Sequence, residues 1–255
     1  MGGALLKGWL ARGLGPVVAV ETNPSQELKR LARRGVTVVS RIEDAPGKPR
    51  ACVVALKPQI LKTEAPRLKA IAQSSAPMIS IAAGSSIGLM TKAWGREARI
   101  VRAMPNTPGA IGEGISALYA APNVTAKDRK LAESLLAALG ATVWVKREAD
   151  IDTVTAVSGS GPAYVFLLVE ALAEAARAEG LPPDVAMRLA RQTIIGSGAL
   201  LKADAAEAFE LRRNVTSPGG TTEAALKILM ARDGLPPLIA RAVSAARKRA
   251  KELSR

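Results

Sequence analysis

The sequence predicts an α/β domain followed by an all-helical domain, with the division near residue 150. In the first 150 residues, short apolar runs alternate with segments of helical character, which is the pattern of buried parallel strands connected by helices. After residue 150 the strand-like runs stop, and helical segments follow one another. With 48% hydrophobic residues, a chain of 255 residues can bury a core in each part.

Short apolar segments of the first part are predicted to be strands, since each is followed by a turn or by the start of a helix. They are 17–21, 36–40, 51–56, 77–83, 99–104, 115–120 and 142–146. The segments between them include predicted helices, and glycine or proline marks several of the ends. These helices are 25–34, 60–73, a segment between Gly84 and Trp94, and 125–139.

Five helices are predicted in the second part of the chain. They are 161–179, 182–202 and segments near 204–213, 222–232 and 236–252. The stretch 161–169 is apolar on nearly all sides, which is more than one small domain can cover. We therefore expect the helical domain to form a homodimer.

The composition excludes several kinds of active site. Because the chain has no histidine, it has no Ser-His-Asp triad and no His-ligated metal site, and we predict no bound metal. Cys52 is the single cysteine, so an internal disulfide and a zinc finger are excluded. The longest apolar run, 162–169, is far too short to span a membrane. No signal peptide is recognisable, and a cytoplasmic protein without a membrane partner is expected.

The net charge of +14 is compatible with acidic ligands or with nucleic acid. Basic residues cluster at 29–34 and 246–251, both in predicted helices, where charged runs usually face water. Aromatic residues make up only 3% of the chain, which argues against a surface for stacking bases. We expect a solvated basic surface and no nucleic-acid partner; a nucleic-acid binder would instead bind DNA with a steep salt dependence.

Two junctions in the helical part have unusual composition. In SGSGPAY (158–164), Pro162 suits the first position of a helix, and either a tight helix entry or an anion site is compatible with the glycines. In NVTSPGGTTEAAL (214–226), four hydroxyls and two glycines precede or begin a helix. An N-cap by Thr221 or Thr222, supported by Glu223, needs only one hydroxyl. The second junction is therefore predicted to bind a carboxylate or phosphate.

Together with ALKP (55–58) and RAMPNTP (102–108) followed by GEG (112–114), these junctions resemble pyrroline-5-carboxylate reductase in order and spacing. The resemblance spans essentially the whole chain. It implies a Rossmann-like dinucleotide-binding domain over 1–150 and an all-helical dimerisation and substrate-binding domain over 151–255. It also implies a homodimer, with a ring of dimers as a larger assembly, and reduction of Δ1-pyrroline-5-carboxylate to L-proline by NAD(P)H in proline biosynthesis.

The resemblance also implies the residues of the substrate site. The amides and hydroxyls of one loop would hold the substrate carboxylate, and they belong to Ser217, Gly219, Gly220 and Thr221. Thr222 would act as the catalytic residue by bonding the ring nitrogen; the alternative is that it only positions the substrate. The reaction suits a chain without histidine, because a cyclic imine is easily protonated and its iminium readily accepts a hydride.

For the cofactor, the resemblance implies contacts at the ends of three strands. Asn106 would line the nicotinamide pocket, and Glu21 at the end of the first predicted strand would favour NADH. The nearby donors of Thr22 and Asn23, with Arg41, favour NADPH, which we expect to be the cofactor, with NADH as the alternative. The remaining predicted cofactor-binding residues are Ala55, Leu56, Lys57 and Pro58.

Two other functions are compatible with a two-domain plan of this kind. A β-hydroxyacid dehydrogenase has a lysine one turn after its Gly-Ser-Gly, but here no lysine follows Gly161 before Lys202. Without that base a hydroxyacid oxidation would lack a proton acceptor. The other alternative is a truncated, non-catalytic protein of the same fold.

The opening residues, MGGALLKG, fit the end of the family's dinucleotide-binding turn, where Gly-x-Met-Gly runs into a helix. This fit predicts that the first strand and the first two glycines, on the order of ten residues, are absent. The start would then be misassigned at an internal methionine, or the chain as given would be inactive and poorly stable because its central strand is lost. An unrelated N-terminal helix is the alternative.

Overall fold

The computed structural model describes residues 1–254, and the chain forms two compact units. Unit 1 consists of residues 1–160 together with 246–254, and unit 2 consists of 161–245. All strands of the described residues lie in unit 1, and each begins and ends within three residues of its predicted range. They are β1 (Val17–Val20), β2 (Val36–Val39), β3 (Cys52–Val54), β4 (Met78–Ser80), β5 (Ile100–Met104), β6 (Gly114–Ala120) and β7 (Gly140–Trp144).

The strands form two sheets. Strands β1 and β2 pair in parallel, and β3 to β7 form a second sheet in chain order. Within residues 1–254, β1, β2, β3 and β7 each have one edge without a strand partner. The sheet was expected to be parallel, but β6 runs antiparallel to β5. The reason is the short connection of residues 105–113, because a parallel crossover needs a dozen or more residues.

Helices of unit 1 follow the predicted pattern with one interruption. The helix predicted over 60–73 is broken by a 3-10 segment at Ala65–Leu68, where Pro66 cannot donate a helical hydrogen bond. The helices are α1 (Gly2–Ala11), α2 (Gln26–Ala32), α3 (Pro58–Glu64), α4 (Lys69–Ala72), α5 (Ile87–Trp94), α6 (Ala126–Leu136) and α7 (Asp150–Val154). Close packing fixes α1, since a Cβ at Gly8 would lie 2.7 Å from the carbonyl oxygen of Ala138.

The core of unit 1 lies between the larger sheet and its helices. Leu5, Met90 and Trp94 are fully buried in it, and the Trp94 indole donates to the carbonyl oxygen of Ala65 at 2.8 Å. Desolvation raises the pKa of the Cys52 thiol to about 11. This cysteine is therefore protonated at neutral pH and is a packing residue rather than a nucleophile.

Residues 158–164 do not form the loop-to-helix junction that the sequence predicts. The chain is helical from Asp150 to Ala178 apart from a bend at Ser160, with a π-helical turn at Thr155–Gly159. The Ser158 hydroxyl donates back to the carbonyl oxygen of Val154 at 3.1 Å instead of capping a helix. A Cβ at Gly159 would lie 2.8 Å from the Met104 side chain, so this glycine allows close packing on β5.

Unit 2 is helical, as predicted. Its helices are α8 (Gly161–Ala178), α9 (Pro183–Ala203), α10 (Ala208–Asn214) and α11 (Thr221–Leu229), and α12 (Leu235–Leu253) begins in it. In α8 only Ala173 is buried, whereas Phe166 and Leu167 are 61% and 63% exposed. By length and composition, the helical stretch Asp150–Ala178 is also apolar enough to cross a membrane. An exposed apolar surface of this kind is typical of an interaction site.

A buried polar cluster joins β5 to the last residues of unit 1. The Arg102 side chain is 4% exposed and pairs with Glu148 at 3.1 Å and with Asp152 at 3.7 Å. The Ser254 hydroxyl accepts from Arg102 at 3.4 Å and donates to Asp152 at 3.2 Å. Glu148 also accepts from the backbone N–H of Ile87 at 2.7 Å, so the cluster fixes the start of α5 as well.

Candidate functional site

The loop before α11 contains a tight turn over residues 217–220. The N–H of Gly220 donates to the carbonyl oxygen of Ser217 at 3.0 Å, and Gly219 has a φ of +71°. Proline at the second position and a glycine of positive φ at the third are typical of a type II turn. A Cβ at Gly220 would lie 2.7 Å from the Ser217 hydroxyl oxygen. The two glycines therefore fix the turn and leave space for the serine side chain.

Helix α11 begins at Thr221 with an open N-terminus. No side chain caps it, and the N–H of Ala224 makes the first helical bond, to Gly220 at 3.2 Å. Within the described residues, the N–H groups of 221–223 have no acceptor, and the helix dipole adds partial positive charge there. A cap by Thr221 or Thr222, the alternative considered from the sequence, is not formed. The open turn suits a carboxylate.

Two side chains hold the loop from outside the turn. Glu223 accepts a hydrogen bond from the N–H of Gly219, with an N–Oε2 distance of 2.7 Å. Thr216 donates its hydroxyl to the carbonyl oxygen of Arg212 at 2.6 Å. The sequence analysis expected the N–H groups of Gly219 and Gly220 to bind the substrate carboxylate. In the structure both N–H groups instead donate hydrogen bonds within the protein.

Unlike the N–H groups of Gly219 and Gly220, three hydroxyl groups at this site make no hydrogen bond within the described residues. In the described part of the chain, no hydrogen bond engages the hydroxyl of Ser217, Thr221 or Thr222. Ser217 and Thr221 are exposed, and Thr222 is half-buried. Three hydroxyls and the amides of residues 221–223 are thus brought together at one helix end, available to a ligand.

The predicted cofactor residues lie in unit 1 at the ends of parallel strands. Because β3, β4 and β5 are parallel, residues 55–58, 81–86 and 105–106 follow at the same edge of the sheet. Pro58 is the first residue of α3, and the extended Lys57 precedes it, so the strand ends here as the sequence predicts. Ligands of open α/β sheets bind at this edge.

The start of α1 adjoins this edge. A Cβ at Gly2 would lie 3.2 Å from the Cβ of Ala55, and no side chain caps the helix. A bulkier residue than glycine would crowd the end of β3. The first-turn amides of α1 therefore lie beside residues 55–58, in the position that phosphate groups occupy at helix N-termini.

Asn106 is held in one orientation at the end of β5. Its side-chain oxygen accepts from the N–H of Ile115 at 2.9 Å. Its half-buried amide therefore keeps the NH2 group as the donor. A Cβ at Gly114 would lie 2.8 Å from the same oxygen, which explains why glycine is suited to that position.

The third predicted group follows β1 and β2. Thr22 and Asn23 are exposed immediately after β1, where the Glu21 carboxylate accepts from the N–H of Asn23 at 3.0 Å. Since β1 and β2 are parallel, Arg41 lies after the adjacent strand end, paired with Glu43 at 3.4 Å. Thr22, Asn23 and Arg41 offer hydrogen-bond donors to a phosphate group at this site. The Glu21 carboxylate would repel the same phosphate.

Sequence reasoning treated Glu223 only as support for a helical turn and did not identify the close approach of Gly2 to Ala55. The spacing of Gly219 and Glu223 was the available signal, because a carboxylate in the first turn can reach back to amides before the helix. The proximity of Gly2 and Ala55 is a tertiary contact without a local sequence signal.

Comparison with known proteins agrees with this arrangement. Residues 148–253 match the family described as pyrroline-5-carboxylate reductase dimerisation. The pyrroline-5-carboxylate reductase of Pseudomonas aeruginosa is 38% identical over 256 residues, covering 100% of this chain and 93% of that protein.

Two solved structures show the same similarity. A pyrroline-5-carboxylate reductase from Coxiella burnetii superposes with a TM-score of 0.92 at 37% identity, covering 99% of this chain and 94% of that one. The Plasmodium falciparum pyrroline carboxylate reductase with NADP bound has a TM-score of 0.81 at 31% identity, covering 100% and 96%. The predicted family is thereby confirmed: the chain belongs to the pyrroline-5-carboxylate reductases.

Proposed function

We propose that this chain reduces Δ1-pyrroline-5-carboxylate to L-proline, the last step of proline biosynthesis, with a reduced nicotinamide dinucleotide as hydride donor. The observation that carries the proposal is the open end of α11, where three hydroxyls and unpaired amides meet. Family membership and full-length similarity to named reductases support it. The substrate is a small anion with a C=N bond, and the site offers donors for its carboxylate.

The substrate carboxylate binds at the start of α11. Its oxygens accept from the first-turn amides and from the hydroxyls of Ser217 and Thr221, which have no acceptor of their own in the described residues. Gly219 and Gly220 belong to the same site because they shape the turn. Hydrogen bonds from fixed donors to a carboxylate orient the ring before reaction.

Thr222 is the catalytic residue of this proposal. Its hydroxyl bonds the ring nitrogen and orients the C=N group, while the nitrogen carries the proton that makes the adjacent carbon electrophilic. No histidine or cysteine is required, because the protonated imine is already a good hydride acceptor.

The cofactor site fits residues of unit 1. The first-turn amides of α1 suit the pyrophosphate, residues 55–58 line the strand edge, and the Asn106 NH2 group is a fixed donor for the nicotinamide side. When bound, the cofactor supplies the hydride. The protein orients it, and the glycine at position 2 keeps the approach to Ala55 open.

NADPH is the proposed form of the cofactor. Thr22, Asn23 and Arg41 lie at adjacent strand ends and offer donors to a 2′-phosphate. The Glu21 carboxylate opposes this choice, but it is bound to the N–H of Asn23. A structure of a relative with NADP bound also supports NADPH.

We expect the purified protein to oxidise NADPH when pyrroline-5-carboxylate is added, and to use NADH with roughly tenfold lower kcat/KM. The measurement is the loss of absorbance of the reduced nicotinamide, with a reaction lacking substrate as control. Arg41→Ala is expected to raise the KM for NADPH and to leave the KM for NADH unchanged. No turnover with either nucleotide would overturn the proposed function.

A homodimer is the proposed assembly, with a ring of dimers as the larger form, in the cytoplasm. The family match over residues 148–253 is to a dimerisation domain. Phe166, Leu167 and their apolar neighbours on α8 are exposed in the single chain. A second copy covers this face in the proposal, and no membrane is required.

Light scattering at micromolar concentration is expected to give the mass of a dimer or of a multiple of it. Phe166→Glu places a charge in the proposed interface and should lower the mass or leave the protein insoluble. Glu174→Ala, on the polar side of the same helix, is the matched control and should leave the mass unchanged. A wild-type protein that is a stable, folded monomer would contradict the dimer.

A further inference from the structure

We infer that Glu223 is a positioning residue for the substrate-binding loop, acting through the N–H of Gly219. This inference rests on the proposed function, because it concerns the same carboxylate site. The bond from the Gly219 N–H to Glu223 Oε2 measures 2.7 Å. It is a charge-assisted bond between the loop and the helix that the loop precedes.

The hydrogen bond from Gly219 to Glu223 connects the turn over residues 217–220 to the first turn of α11. Gly219 is the third residue of the type II turn, and its N–H precedes the first helical residue, Thr221, by two positions. The turn is closed by the bond from Gly220 to Ser217, and Glu223 ties this turn back to the first helical turn. Without Glu223, the hydrogen bond that holds the Gly219 N–H is lost, and only bonds of Gly220 remain.

The donors of the proposed carboxylate site depend on this tie. The Ser217 hydroxyl belongs to the turn, whereas the Thr221 amide belongs to the helix. One carboxylate can bind both donors only if turn and helix are held at a fixed separation. Because Glu223 connects them directly, its loss should weaken substrate binding more than the chemical step.

The negative charge of Glu223 opposes a bound anion, and Lys227 offsets part of it. The Lys227 ammonium lies 3.7 Å from the Glu223 carboxylate, one helical turn further along α11. Both side chains line an open surface depression together with Thr216, Leu226 and Met230. Because the charge of Glu223 would repel a bound anion, we expect the site to require its hydrogen-bond acceptor rather than its charge.

Glu223→Ala and Glu223→Gln separate these two properties, since glutamine keeps the acceptor and removes the charge. For Glu223→Ala, the KM for pyrroline-5-carboxylate should rise roughly tenfold, while kcat and the KM for NADPH change less than about threefold. For Glu223→Gln, the KM for pyrroline-5-carboxylate should stay at or below the wild-type value.

Glu210→Ala is the matched control. Glu210 also lies in the first turn of a helix of unit 2, and its carboxylate reaches back to the N–H of Glu207 at 3.3 Å. Its removal changes the net charge by the same amount without touching the turn over residues 217–220. We expect the KM for pyrroline-5-carboxylate to be unchanged in this variant.

Hydrogen exchange provides a readout that does not depend on activity. The Gly219 amide should be protected in the wild-type protein and in Glu223→Gln, and should exchange faster in Glu223→Ala. The inference is overturned if the KM of Glu223→Ala equals that of Glu210→Ala, or if glutamine raises the KM as much as alanine. Absence of turnover in the wild-type protein would instead count against the proposed function, with the Gly219 exchange rates still testing the tie.

Discussion

Thr222→Ala is expected to lower kcat by roughly one to two decades while Thr216→Ala lowers it less than about threefold. The Thr222 hydroxyl has no partner in the described residues and stands in the first turn of α11, where the substrate ring is proposed to bind. Removing a hydrogen bond to a group that develops charge costs about 1.5–3 kcal/mol, which corresponds to one or two decades in rate.

The comparison is sharp because the two threonines belong to the same loop. The Thr216 hydroxyl already donates to the carbonyl oxygen of Arg212 at 2.6 Å, so its role is to hold the loop to α10. Its loss should lower the free energy of unfolding by about 1 kcal/mol and leave the chemical step almost unchanged. Thr222→Ser keeps the hydroxyl and is expected to recover most of the activity.

We would measure kcat of each variant by steady-state kinetics at saturating NADPH. The fraction of folded protein is checked for each variant. If both alanine variants lose activity equally, the loop acts only as a structural unit and Thr222 has no special role. If serine fails to restore activity, the methyl group rather than the hydroxyl of Thr222 is the important feature.

The strands were largely predictable, because their signal is local. Each of the apolar runs in residues 1–150 became a strand, including the short runs at 52–54 and 78–80. The direction of β6 was predicted wrongly as parallel, because the apolar pattern of a strand does not show which way the strand runs. Only the length of the connection over residues 105–113 carried that information.

The two junctions differ in how much of their structure the sequence could reveal. At 214–226, hydroxyls and glycines mark an open helix end, and the structure places them there. At 158–164, the same residue types lie within a nearly continuous helix, because Ser158 bonds back to Val154 and Gly159 packs on Met104. The approach of Gly159 to Met104 is a tertiary contact, so local composition could not separate the two cases.

Arg102→Ala is expected to lower the free energy of unfolding by about 3–5 kcal/mol, the largest stability effect of any single change considered. Arg102 is 4% exposed on β5, and it compensates two acidic side chains, Glu148 and Asp152, that are 30% and 14% exposed. Its removal would leave their charges in a poorly solvated site without a counter-ion. A buried charge that loses its partner is far more costly than a lost surface pair.

Arg147 provides the control, because it also pairs with an aspartate of α7. Arg147 pairs with Asp150 at 2.7 Å, but its side chain is 79% exposed. The hydrogen bond from Arg147 lowers the pKa of the Asp150 carboxyl below its usual value. Because water screens an exposed pair, Arg147→Ala should lower the free energy of unfolding far less than Arg102→Ala. The two variants remove the same charge and differ in burial.

Urea unfolding followed by tryptophan fluorescence at fixed protein concentration makes the comparison, since Trp9, Trp94 and Trp144 all lie in unit 1. Removing the acidic partners along with the arginine, as in Arg102→Met with Glu148→Gln and Asp152→Asn, should recover part of the loss because no unpaired charge is left. Equal losses for Arg102→Ala and Arg147→Ala would show that the cluster is solvated in solution. A triple variant no more stable than Arg102→Met alone would place the stabilisation in packing of the arginine stem, rather than in the charges that join β5, α7 and the end of α12.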